Sequence, residues 1–153
     1  MPIRFATLSD VPALVEGAGR AHASTRFRSQ PYDAQKVAHA FTELIEQRQS
    51  KYGCFVAEDT AGRVVGALIG SIERQILSDA CTASVMHFNV LPESRVGEHA
   101  IRLLGAFEAW SMNRGAIEMA FGVGGTQVQR LGRLARKMGF RSVGGNYVKE
   151  RCV

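Results

Sequence analysis

Cysteine is scarce in this chain of 153 residues, with three in all: Cys54, Cys81 and Cys152. Their number is odd, they lie far apart, and no C-x-x-C spacing occurs. That argues against a disulfide framework or a zinc site and for a reducing compartment, the cytoplasm. Long apolar runs are also missing. None approaches the ~18 residues a membrane-spanning helix needs, so no such helix and no membrane partner are expected. The opening "MPIRFATLSD" lacks the basic-then-apolar layout of a secretory signal. Repeats, low-complexity tracts and linker-like stretches are absent, so a single domain over residues 1–153 is expected. Acidic residues are rare in the last part of the chain. From Thr126 onward Arg130, Arg133, Arg136, Lys137, Arg141, Lys149 and Arg151 face one acid, Glu150.

What is present fits a globular protein: 46% of residues are apolar and 22% charged, which argues against disorder. Ile3 to Ala6 reads as a short strand. "TLSD" supplies capping residues for a helix from about Asp10 to His22, in which Pro12 sits in a tolerant first turn. "STRFRSQPYD" reads as a loop, and Asp33 as the cap of a second helix carrying Val37, Phe41, Leu44 and Ile45. From Tyr52 the period changes to that of strands. "YGCFVAED" and "RVVGALIGSIER" form a hairpin, and "TASVMHFNVL" is a third run ending at Pro92. Ala100, Leu103, Leu104, Phe107 and Trp110 then mark one apolar helical stripe, stopped near Gly115. "IEMAFGV" is a strand, "TQVQRLGRLARKMGF" a basic helix, and "RSV-GG-NYVKE" a closing hairpin. The order β-α-α-β-β-β-α-β-α-β-β predicts a mixed α/β sheet with helices on both faces.

The turn after Leu91 has the makings of an anion cradle. Pro92 ends strand pairing, and Gly97 lets backbone approach a ligand. The helix that follows offers unpaired N–H groups at the positive end of its dipole. In this setting "NVLPESRVGEHAIRLL", with "IRFATLSDVPAL", "GRVVGALIG" and "LARKMGF", resembles the GNAT superfamily of acyl-CoA-dependent N-acetyltransferases. That family's motif is a strand ending in V-x-P-E-x-R, a Gly-rich turn and a helix with paired leucines. Val90, Pro92, Glu93, Arg95, Ala100, Leu103 and Leu104 fall on it. The likeness spans essentially the whole chain, and extends to short members carried in bacteriophage genomes. It implies a GNAT-type, mostly antiparallel mixed sheet. It implies acetyl-CoA as co-substrate without a metal, an amine acceptor (small molecule or protein amine), and compatibility with a homodimer. It also implies that backbone N–H groups of Arg95, Val96, Gly97, Glu98, His99 and Ala100 hold the coenzyme A pyrophosphate. The pantetheine arm would pair with backbone near Asn89 and Val90.

Two positions depart from the pattern. Glu98 stands where the family has a central glycine, and a carboxylate ~4 Å from a phosphate costs about 1 kcal/mol in water-like surroundings. Either its side chain points to solvent or Gly97 takes the glycine's role. Ala135 replaces the tyrosine that protonates the leaving thiolate, and Gln127 is the nearest amide to a missing asparagine.

Three residues are candidates for the proton chemistry. Ser84 lies where relatives carry a base and can hold a water. His87 has a suitable intrinsic pKa. Strand parity groups it with Val85 and Asn89, opposite Ser84, Met86 and Phe88, unless a bulge intervenes. Tyr147 is a substitute acid if it reaches the sulfur. Alternative readings are a non-catalytic acyl-CoA-binding or interaction protein of the same fold, and a nucleic-acid binder using the basic last helix. The last ranks lowest because only Phe140 and Tyr147 lie near those cations.

Overall fold

Residues 2–47, 51–94, 96–122 and 128–151 are described by a computed structural model. Its centre is a five-stranded sheet of β1 (Ile3–Phe5), β2 (Tyr52–Glu58), β3 (Val64–Arg74), β4 (Cys81–Val90) and β5 (Ala116–Phe121), in that spatial order. The first three pairings are antiparallel, and β4 runs parallel to β5. A short 3-10 turn (Leu8–Asp10) leads into α1 (Val11–His22), followed by α2 (Ala34–Glu46). The helix α3 (Val96–Asn113) makes the crossover from β4 to β5, and α4 (Val128–Lys137) follows β5. This is the expected mixed, mostly antiparallel α/β sheet with helices on both faces.

Helix ends fall where the chemistry places them. Asp33 caps α2, its Oδ1 accepting the Lys36 N–H at 3.0 Å. Gly115, at φ 79°, takes the left-handed conformation that ends α3. The apolar period then sorts the core into two layers. Leu14, Phe41 and Ile45 cover Val56, Ala67 and Ile69 on one face of the sheet. Leu103, Leu104, Phe107 and Trp110 of α3 cover Phe55 and Leu68 on the other, where Leu134 and Met138 also pack. Each such large side chain contributes roughly 1.5–3 kcal/mol by leaving water. Gly70 makes the second layer fit. A Cβ there would lie 2.6 Å from the Phe107 ring.

Next to α1, Arg4 joins two carboxylates. Its Nη1 and Nη2 donate to the Asp10 oxygens at 2.7 and 3.0 Å, and its Nε donates to Glu58 Oε1 at 2.8 Å. Asp10 also accepts the Thr7 N–H at 2.7 Å and is 6% exposed. The Arg4 guanidinium holds the Asp10 carboxyl below its ordinary pKa.

One expectation fails. The closing hairpin does not form: Arg141 to Arg151 make no strand, and all of them are exposed. Its few apolar residues, among them Val143, Tyr147 and Val148, cannot furnish a buried face, and an isolated two-stranded hairpin is marginal in water. Among the described residues no helix is long and apolar enough to cross a membrane.

Gly70→Ala is expected to destabilise by about 1–3 kcal/mol in urea denaturation, the cost of overpacking. Asp10→Asn is expected to cost about 1–2 kcal/mol, a charge-assisted bond discounted for the partial exposure of Arg4. Because the folded-state pKa of Asp10 is depressed, its contribution is complete above the unfolded value of about 4 and is lost as pH falls below it. The gap between wild type and Asp10→Asn in pH-dependent melting should therefore close toward acid.

Candidate functional site

The strand β4 is flanked on both sides only along its first half. Its pairing with β5 runs from Cys81 opposite Ala116 to Val85 opposite Phe121, the last residue of β5. Pairing with β3 continues to Val90. From Met86 to Val90, therefore, one edge of β4 has no strand partner among the described residues. Such an edge offers backbone donors and acceptors to an extended chain carrying amides.

The register against β3 breaks at the same point. Ile69 stands opposite His87 and Gly70 opposite Val85, so Met86 is an extra residue, a β-bulge. Before it, Ala83 and Val85 face the α3 layer; after it, Phe88 and Val90 do. The other face takes Ser84, opposite Ser71, and then His87 and Asn89, opposite Ile69 and Ala67. The bulge thus brings Ser84 and His87 to one face, the side covered by α1 and α2, where unbroken alternation would have separated them.

His87 is half-buried there. The Phe41 ring lies edge-on at a centroid distance of 6.3 Å, and Asn89 Oδ1 is 2.8 Å from His87 Nε2. With the amide oxygen accepting, Nε2 carries the proton and Nδ1 the lone pair. Burial lowers the His87 pKa, and the Asn89 bond opposes this more weakly. The ring is accordingly neutral at pH 7. Helix α1 lies directly over Asn89. A Cβ on Gly17 would meet the Asn89 amide nitrogen at 3.1 Å. Only a small cavity remains between α1, β3 and Asn89, of about 10 Å³.

Beyond Val90 the chain turns tightly into α3. The Leu91 N–H donates to Val65 O at 2.8 Å, the Ser94 N–H and hydroxyl to Leu91 O at 3.0 and 2.7 Å, and the Val96 N–H to Ser94 O at 2.8 Å. The first N–H groups of α3 have no carbonyl one turn back within the helix. Beside them, a Cβ on Gly97 would meet nothing within 4 Å. These features fit a phosphate group. Glu98 does not obstruct it: its carboxylate lies 3.2 Å from Arg102 Nη2, one turn further along α3. Glu93 is gripped by Arg20 of α1, with Nη1 and Nη2 donating at 2.6 and 2.8 Å. That pairing draws the Glu93 pKa down to about 2. His99 and Ala100 are buried, at 1% and 4% exposure, so they can offer only backbone to a ligand at the surface. His99 Nδ1 has no partner among the described residues. Arg95 and Gln127 lie outside the described residues.

The structure therefore joins Ser84, His87, Asn89 and Val90 along β4 and leads them into the turn before Val96, Gly97 and Glu98. It does not bring Tyr147 to them. Tyr147 sits in the unpaired tail, fully exposed. Ala135 lies on α4, as expected, and Arg130, Arg133, Arg136 and Lys137 share its exposed side. The Arg20–Glu93 pair spans 73 positions in sequence and carries no local signal. The bulge does have one: polar residues fall at 82 and 84, then at 87 and 89, a change of phase. Among the described residues no group of His, Cys, Asp and Glu could hold a metal ion.

No family model matches the chain, and no curated protein matches it in sequence. Solved structures do match in fold. A protein described as a probable acetyltransferase is 16% identical, with 100% of this chain and 99% of that one covered, at a TM-score of 0.81. An aminoglycoside antibiotic 6'-N-acetyltransferase from Acinetobacter haemolyticus is 15% identical over 100% and 99% of the two chains, at 0.74. A ribosomal-protein-alanine N-acetyltransferase from Brucella melitensis biovar Abortus 2308 is 17% identical over 99% and 100%, at 0.71. The parting of β5 from β4 after Val85, the bulge at Met86 and the turn before α3 thus belong to a chain with the fold of the GNAT-type acetyltransferases.

Proposed function

We propose that the protein transfers an acetyl group from acetyl-CoA to a primary amine by direct attack. The observation that carries this reading is the edge of β4, Met86 to Val90, without a strand partner among the described residues and running into the N-terminus of α3. The edge suits the amides of a pantetheine arm, and the helix N–H groups suit a pyrophosphate. The acetyltransferase names of the matching solved structures support the same chemistry.

The residues take simple roles in this reading. Backbone N–H groups of β4 polarise the thioester carbonyl. His87 accepts the proton released by the attacking amine at Nδ1, directly or through a water held by Ser84. The amine nitrogen bonds to the carbonyl carbon, the carbon–sulfur bond breaks, and the sulfur departs as thiolate. Asn89 fixes the His87 tautomer. Ala135 contributes nothing to protonating the sulfur.

A second reading has its own support. The exposure of Tyr147 and the alanine at position 135 leave no assigned acid, which suits an acyl-CoA binder that does not catalyse. A thiol-release screen over amines separates the two. Calorimetric titration with acetyl-CoA tests what they share, and absence of binding at tens of micromolar overturns both.

For the enzyme, His87→Gln should leave acetyl-CoA affinity unchanged and lower thiol release about 100-fold. The sign of the pH effect follows from burial. Below the acceptor amine's own pKa, kcat/KM falls as the neutral amine is depleted; a lowered His87 pKa adds a second, steeper acid limb only below the free imidazole's value, about 6.5. That second limb should vanish in His87→Gln, and its persistence would remove His87 as the base.

A further inference from the structure

We propose that Arg20 is a positioning residue for the phosphate cradle, acting through Glu93. The inference rests on the acyl-CoA reading above and assigns to α1 a part in cofactor binding that no motif suggests. Three observations carry it. Glu93 lies three residues before Val96, the first residue of α3. Even fully extended, that stretch spans about 11 Å, and the turn bonds of Leu91, Ser94 and Val96 make it shorter. A free carboxylate there would repel a polyanion at the α3 N-terminus. Both Glu93 oxygens are instead held by the Arg20 fork at 2.6 and 2.8 Å. The geometry also reaches backward. Gly17, one turn earlier on α1, packs against Asn89, which holds His87. One rigid helix thus touches the partner of the base with one turn and the cradle with the next.

Stability does not explain the pair. Its side chains are 43% and 58% exposed, and ion pairs so exposed contribute little to folding. The N-terminal end of α1 is anchored separately, by Leu14 in the core and by Arg4 at Asp10. The Arg20–Glu93 contact stands out because of where its negative partner sits. Glu98, the other acid near the cradle, is likewise paired, with Arg102.

The test is calorimetric affinity for acetyl-CoA, measured on the full chain at low and at high salt, with melting temperatures recorded alongside. Arg20→Gln, which frees the carboxylate, should weaken binding about three- to tenfold. Arg20→Lys should restore most of the affinity. The double variant Arg20→Gln with Glu93→Gln should bind within about twofold of wild type, because no uncompensated charge remains. The loss in Arg20→Gln should shrink in high salt, as a screened repulsion must. Wild-type affinity in Arg20→Gln would overturn the proposal. So would a double variant as weak as Arg20→Gln, since Arg20 would then act on the ligand itself. Failure of the acyl-CoA reading looks different: the wild-type protein would not bind, and this proposal would fall with it.

Discussion

The site depends on one interruption. Through Val85, β4 is hydrogen-bonded on both sides; after Val85 its one strand partner among the described residues is β3. A strand inside a sheet has no backbone groups to spare, and an edge strand has a full row of them. By ending β5 at Phe121, the fold turns an internal strand into an edge for five residues. The bulge at Met86 falls at the start of that stretch and re-aims the side chains along it. The backbone proposed for a ligand and the side chains proposed for proton transfer thus fall at the same place and for related reasons.

Around this interruption α1 serves as the common support. Its first turn is held by Asp10, which Arg4 ties to the end of β2 through Glu58. Its middle drops Leu14 into the core and brings Gly17 onto Asn89. Its last turn sends Arg20 across to Glu93. Electrostatics near the α3 N-terminus follow a single rule. Each of the two nearby carboxylates, Glu93 and Glu98, is paired with an arginine, so the helix dipole can face a ligand without a competing free negative charge.

Sequence periodicity revealed most of this frame. Helices and strands through β5 announce themselves through their apolar spacing, and the cradle turn through Pro92 and Gly97. The bulge was half legible. In "CTASVMHFNV" the polar positions are 82 and 84 and then 87 and 89, a phase change that an inserted residue reconciles with a single buried face. The long-range arginine pairs were not legible at all, because residues 4 and 58, or 20 and 93, are brought together only by the tertiary fold. The closing hairpin misled for the opposite reason. "RSV-GG-NYVKE" has good turn chemistry, yet turn chemistry cannot hold strands that have little apolar surface to bury.

Ala135 bears on rate more than on whether transfer can occur. A catalytic acid helps by protonating a leaving group that is too basic to depart alone. A thiol like that of cysteine has a pKa of about 8.5, so a thiolate at pH 7 lies only some 1.5 units from its preferred state, about 2 kcal/mol. An amine leaving group would demand far more. The base side is the stricter requirement. A protonated amine has no lone pair with which to attack, and a proton must leave the nitrogen before a neutral amide remains. In the proposed reaction a half-buried neutral imidazole hydrogen-bonded to Asn89 would meet that requirement. The chemistry of that reaction would therefore depend on His87 and its support from α1 more than on any replacement for the missing tyrosine.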